Sequence, residues 1–199
     1  RVAVLGDKVQ ENDKVTVDAK KKLFYIAFNK PKNIITHSPQ EGEKEIKDIL
    51  KFKEEVFPIG RLDKNSSGLI ILTNDGRLTD KLLNPEYNHE KEYAVKVSKK
   101  IDNSFLRRMG AGVRLEDGYI TKKCKITKIS DERFSIVLTE GKKHQIRRMC
   151  DVEGVKVRAL NRSRIMNVTL GNLPLGKWQK IPDAHLKTLL EKLDHLPPK

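Results

Sequence analysis

No stretch of about 18 consecutive apolar residues occurs in this 199-residue chain, and its opening Arg-Val-Ala-Val-Leu-Gly lacks the apolar region of a signal peptide. A membrane protein is therefore not expected, and a cytoplasmic one is. Cysteine is scarce: Cys124 and Cys150 form neither a CxxC pair nor a disulfide framework, so both are expected as reduced thiols. The five histidines are scattered without metal-ligand spacing, and no metal site is expected. A Gly-rich nucleotide loop is missing, as are internal repeats and low-complexity tracts.

Positive charge is what the chain has in excess. Its 41 Lys and Arg against 27 Asp and Glu give a net charge of +14, which points to a polyanion, either nucleic acid or an anionic membrane surface. The hydrophobic fraction of 37% suffices for a core, and the length suits one sizeable domain with or without a small appendage.

Residues 1–20 alternate apolar and polar positions around Gly6-Asp7, which predicts a short strand pair too small for its own core. Lys20-Lys21-Lys22 then precedes an apolar strand at 23–28 that Lys30-Pro31 stops, placing a domain boundary near residue 22. Further strands are predicted at 56–59, 68–73, 91–97, 118–129, 134–139, 155–159, 164–170 and 178–181. Helices are predicted at 44–52, at 75–84 with Leu78, Leu82 and Leu83 inward, and at 102–109. Two more fall at 143–153 and at 182–194, where Leu186, Leu189, Leu190 and Leu193 make one stripe. This strand-dominated order is α+β.

Three segments hold side chains suited to chemistry. Asp63 lies on a connection between two apolar strands, where rigid sheet at both ends suits a catalytic carboxylate; a turn aspartate among Gly, Ser and Asn is the plainer reading. From Lys142 to Arg164 there are eight Lys or Arg against only Asp151 and Glu153, beginning at a strand-to-helix junction. Cations bordering a helix N-terminus make an anion site, although a solvated basic helix has the same composition. Arg147 and Arg148 project about 100° apart on that helix, so one is expected to face the sheet and an acid, the other the polyanion. His144 is either a phosphate donor or a helix-cap residue. Tyr93 shares a strand face with Val95 and Val97, as a core aromatic or a base-stacking platform, and Trp178 is expected in the core.

Taken together, GRLDKNSSGLIILTNDG at 60–76, EKEYAVKV at 90–97 and EGKKHQIRRM at 140–149 resemble the three ordered signature blocks of the RsuA/RluF-type RNA pseudouridine synthases. Arg162-Ser163-Arg164-Ile165-Met166-Asn167-Val168 resembles the RluF branch in particular, and the resemblance runs from residue 23 to 194. The opening residues resemble the closing strands of an S4 RNA-binding domain, which divides the chain into an S4-like remnant at 1–22 and a catalytic domain at 23–199. Asn33 stands where related chains commonly have glycine; asparagine tolerates the left-handed conformation that such a turn needs.

The resemblance implies a mixed, mainly antiparallel sheet flanked by helices, with the cleft across its middle. It implies that Asp63 attacks the target uridine at ribose C1′ or uracil C6, and that the base is detached, turned and rejoined through C5 without a cofactor. Burial would raise the carboxyl pKa from about 3.9, and a guanidinium would oppose that rise. Arg147 matches the family position that pairs with the aspartate, Tyr93 matches the tyrosine that stacks on uracil, and Arg61 would support the loop and touch phosphate. Further substrate contacts are expected from His144, Gln145, Arg148, Arg162 and Arg164. Extracting the base costs a few kcal/mol, so the strip from Lys142 to Arg164 would grip the flanking phosphates. The expected partner is structured RNA, a stem-loop of large-subunit ribosomal RNA or alternatively transfer RNA, bound by a monomer with no obligatory protein partner. Two other classes fit the same residues: a non-catalytic RNA-binding or ribosome-assembly factor, and a nucleosidase-like hydrolase using Asp63.

Overall fold

The structure, a computed structural model, describes residues 22–194 together with Asn12. Apart from Asn12, the strand pair expected at 1–20 lies outside the described residues. In chain order the described elements are β1 (Tyr25–Lys30), α1 (Ile46–Ile49), β2 (Phe57–Ile59), β3 (Ser67–Thr73), α2 (Leu78–Leu83), a 3-10 turn (Pro85–Tyr87), β4 (Lys91–Val97) and α3 (Asn103–Ala111). They continue with β5 (Lys125–Ser130), β6 (Arg133–Leu138), α4 (Gln145–Val152), β7 (Val157–Ile165), β8 (Val168–Thr169), β9 (Trp178–Lys180) and α5 (Asp183–Asp194).

The strands form one sheet in the order β5-β6-β4-β7-β3-β1-β9, with β2 added to β3 and β8 to β7. Every pairing is antiparallel except β3 with β7, which meet through Ser67–Asn161 and Gly68–Arg162. The fold is thus the expected mixed, mainly antiparallel sheet with helices packed on it. β3 lies deep in the sheet and is buried at all seven positions, which is why it reads as an uninterrupted apolar run. Its period-two alternation sends Leu69 and Ile71 to one face, with Ala27, Leu78, Leu82, Leu189 and Leu193, and Ile70 and Leu72 to the other, with Ile26, Phe28 and Ile46. Around β4 and β6 a further cluster buries Val95, Val97, Phe134 and Ile136 against Phe105 and Met109 of α3 and Met149 of α4.

Several expected elements change extent. The helix expected at 44–52 contracts to one turn because Leu50 is extended and Phe52 leaves to pack edge-on against Phe24 and Trp178, at 5.4 and 4.8 Å. Trp178 is half-buried there, its indole N–H donating to the Lys51 carbonyl at 3.0 Å. α2 starts at Leu78 because the Asp75 carboxylate is engaged by Tyr25 and Arg77, and Leu83 is 42% exposed where it was expected inward. The predicted strand at 118–129 begins only at Lys125, while Leu160–Ser163 join the predicted strand at 155–159 to the start of that at 164–170 as β7, and the remainder of the latter turns back at Met166–Asn167 into β8. No strand is predicted at 160–163, yet Arg162 is 4% exposed within the sheet.

Candidate active site

Asp63 sits on the connection that carries β2 into β3, where the two strands are already paired through Ile59 and Ile71. The far end of this loop is closed by Ser66, whose N–H donates to the Asp63 carbonyl at 3.0 Å. One residue into β3, Gly68 has φ +117°, and a Cβ there would collide with the backbone N and O of Arg162. Glycine is what lets β3 and β7 approach at the root of the Asp63 loop. A second loop braces the first from the side. The Thr36 hydroxyl accepts from Leu62 N–H at 3.0 Å and donates to the Leu62 carbonyl at 2.9 Å, and Asn33 N–H donates to the Lys64 carbonyl at 2.8 Å. Asn33 has φ +65°, the left-handed turn its side chain tolerates.

Under this brace lies Lys30, fully buried, its ammonium donating to the carbonyls of Pro31 and Ile34 at 2.9 and 2.5 Å. Burial pushes the amine down to about 8; Asp63 opposes the shift and Arg162 adds to it. The sequence offered no sign of this role, because a lysine before proline at a strand end reads as a solvated stop.

Asp63 opens onto a cleft of about 610 Å³ whose lining includes Arg61, Tyr93, Leu160, Lys142 and His144. Its side chain is 38% exposed, open to the cleft. His144 Nε2 stands 3.5 Å from Asp63 Oδ1. His144 occupies the position before α4 with φ +54° and makes no side-chain capping bond, so it faces the cleft and not the helix end. Tyr93 is half-buried on β4, packed against the cluster around Val95 on one side and lining the cleft on the other. Its two sequence readings merge at this core boundary.

The helix arginines distribute differently from expectation. Arg147 makes no ion pair with Asp63; its guanidinium donates to the carbonyls of Asn65 at 3.0 Å and Val157 at 3.4 Å, and to the Ser66 hydroxyl at 3.4 Å. Arg148 faces acids, meeting Glu116 and Asp117 each at 2.6 Å, and Arg164 meets Glu90 and Glu92 at 3.0 and 2.9 Å. Neither is among the residues lining the cleft, and each is held by two carboxylates of the same fold. Arg162 is buried behind the cleft, donating to the carbonyls of Leu69 at 2.8 Å and Arg61 at 3.3 Å. Gln145 borders the cleft but is buried, its amide bound to Glu140 at 2.5 Å and its oxygen accepting from Lys142 N–H at 2.9 Å.

Glu140, which sequence reasoning passed over, is the hub of that corner. It accepts from the Tyr119 hydroxyl at 2.5 Å, from Lys122 N–H at 2.9 Å and from Gln145. This buried network fixes the start of the 140–144 loop and so aims Lys142, Lys143 and His144 at the cleft mouth. The result is a carboxylate in a cleft with an aromatic wall and a cationic rim, chemistry suited to attack on a nucleoside held by its phosphates. Among the described residues no three His, Cys, Asp or Glu side chains cluster as metal ligands, and no helix is long and apolar enough to cross a membrane.

Comparison with solved structures gives the fold its class. A crystal structure of a pseudouridylate synthase superposes with a TM-score of 0.77 at 26% sequence identity, covering 86% of this chain and 74% of that one. The sequence pattern of the RNA pseudouridylate synthase family matches residues 24–151. The dual-specificity RNA pseudouridine synthase RluF of Escherichia coli O6:H1 is 44% identical over 201 residues, covering 97% of this chain and 69% of the relative. Ribosomal large subunit pseudouridine synthase B of Bacillus subtilis is 31% identical over 205 residues, covering 98% and 84%. The chain belongs to the RNA pseudouridine synthase family, and its activity is pseudouridine formation in RNA.

Proposed function

We propose that the chain isomerises one uridine in a stem-loop of large-subunit ribosomal RNA, with Asp63 as nucleophile. The observation that carries this reading is the Asp63 carboxylate, open to a cleft walled by Tyr93 and rimmed by Arg61, Lys142, Lys143 and His144. The target base leaves its stack and lies against Tyr93, while the rim cations hold its flanking phosphates. Asp63 attacks C1′, displacing N1, or adds to C6; the C1′–N1 bond breaks, the base turns, a C1′–C5 bond forms, and the bond from the Asp63 carboxylate to C1′ or C6 breaks, which returns the free carboxylate. The C5 proton departs to water and N1 takes one up, so no oxidant, phosphate donor or metal enters the balance. Filling the cleft with the base removes water from the carboxylate, which the free protein leaves open. Arg147 acts by holding the loop that carries Asp63, and Arg162 supports the same loop from behind.

The name of the Bacillus relative supports a large-subunit target, and the dual specificity in the name of the Escherichia coli relative supports a second RNA target, for which transfer RNA is the alternative we hold. The enzyme works as a cytoplasmic monomer without an obligatory protein partner, with residues 1–22 belonging to an S4-like RNA-binding remnant and residues 23–199 to the catalytic domain. The test is tritium release from C5-tritiated ribosomal RNA fragments by wild type and Asp63→Asn. Release by wild type alone, with no free uracil, is the expected result. Free uracil would identify a hydrolase, and undiminished release by Asp63→Asn would remove the nucleophile assignment.

A further inference from the structure

Beside the cleft lies a second chamber of about 270 Å³, sharing Arg61, Tyr93, Glu140 and Gly141 with it. It extends toward α2 and the 3-10 turn, where Leu82, Leu83 and Pro85 form an apolar wall. Three cations border it, Arg61, Lys91 and Arg162, and none of them makes an ion pair among the described residues. Arg148 and Arg164, by contrast, are each neutralised by two carboxylates.

Arg61 is exposed, whereas Arg162 and Lys91 are also short of partners. Arg162 is 4% exposed, and its Nη2 is buried without a hydrogen-bond acceptor. The Lys91 ammonium has one long bond, to the His89 carbonyl at 3.3 Å. Its amine is held below the usual lysine range by burial first and by the charge of Arg162 second. Glu140, the one acid at the chamber, has its oxygens taken by Tyr119, Lys122 and Gln145. Lys91 and Arg162 are partly desolvated and repel each other, and Glu140 is the one carboxylate lining the chamber against three cations, so the excess positive charge is stabilised by an anion that enters from outside.

We propose that this chamber receives the nucleotide next to the target uridine in the same RNA strand, its phosphodiester facing Lys91 and Arg61 and its ribose or base lying along Leu82, Leu83 and Pro85. The proposal rests on the cleft being the uridine site, because the two spaces communicate past Tyr93. Arg162 contributes charge from within the wall without touching the phosphate. At about 270 Å³ the chamber lies just below the roughly 300–1,000 Å³ of whole small-ligand pockets, which suits part of one nucleotide and not a helical segment. Lys91 is therefore a substrate-binding residue that sets how the strand is bent around the extruded base.

The probe is the dinucleotide uridylyl-(3′→5′)-uridine, compared with its uncharged methylphosphonate analogue and with uridine. Each is titrated into wild type, Lys91→Met and Lys91→Arg while the backbone amide signals of Gly60, Leu83 and Lys91 are followed. Wild type is expected to bind the charged dinucleotide about tenfold more tightly than the analogue, the magnitude of a charge-assisted hydrogen bond. Lys91→Met is expected to bind both equally, and Lys91→Arg to keep the preference. A preference that survives in Lys91→Met, no preference in wild type, or no saturable shift at the chamber amides in the millimolar range each overturns the proposal. Loss in Lys91→Met without recovery in Lys91→Arg would reveal a folding defect instead of a lost charge and would equally reject the assignment. Tritium release dependent on Asp63 is measured separately, so failure of the chamber and failure of the nucleophile assignment are told apart.

Discussion

The Arg147 guanidinium is bonded to the Asn65 carbonyl at 3.0 Å, two residues beyond Asp63, and not to the Asp63 carboxylate itself. The same side chain reaches the Val157 carbonyl at 3.4 Å, so one planar cation ties the Asp63 loop to the start of β7. A positioned donor fork does this where a single ammonium does not. Arg147→Met is therefore expected to lower kcat by about 10²-fold, the cost of displacing the proposed nucleophile by roughly 1 Å, with a smaller change in KM. Arg147→Lys is expected to recover little. Single-turnover tritium release at saturating RNA checks this; an unchanged kcat with a raised KM would assign Arg147 to phosphate contact instead.

Lys30 gives the protein a pH signature. Its amine titrates at about 8 in the folded chain against 10.5 ordinarily, so between these values the unfolded chain holds a proton that the folded chain has released. Stability attributable to this residue is lowest below pH 8 and rises as pH climbs toward 10.5, by at most about 3 kcal/mol. Cys124, Cys150 and Tyr25, pushed up to about 11, 12 and 12, act in the opposite sense at high pH and do so equally with or without Lys30. Denaturant unfolding of wild type and Lys30→Met across pH 7 to about 10 is expected to show a difference that moves in favour of wild type with rising pH. A flat difference would mean that Lys30 is solvated.

Gly68→Ala is expected to destabilise the fold by about 3 kcal/mol or more, because a Cβ has no space beside the Arg162 backbone and the φ of +117° disfavours any L side chain. Thermal melts measure it. A loss below about 0.5 kcal/mol, the level of an ordinary surface change, would contradict the close approach of β3 and β7.

Salt dependence of RNA binding separates free cations from neutralised ones. Lys143→Ala is expected to reduce the slope of log K against log salt by about one, since each phosphate contact releases about one counterion. Arg148→Ala and Arg164→Ala are expected to leave the slope unchanged and to lower the melting temperature, because their guanidinium groups are held by carboxylates of the same fold. A slope reduced by Arg148→Ala would show that RNA displaces Glu116 and Asp117.

The chain itself determined the α+β class, the placement of Asp63 between two strands and the basic strip after Lys142, because these depend on hydrophobic period, turn residues and local charge, all of which are written in consecutive residues. Asn33 was legible in the same way, since its backbone preference is its own. Tertiary structure alone decided which cations remain free. Arg148 and Arg164 look like Lys143 in sequence, yet Glu116, Asp117, Glu90 and Glu92 meet them from other segments. It also decided that Lys30 is buried and that Arg162 lies inside a strand spanning 160–163, where none is predicted. Pairwise electrostatics between distant segments and the burial of a polar side chain have no local signature, because each depends on what the rest of the chain brings alongside.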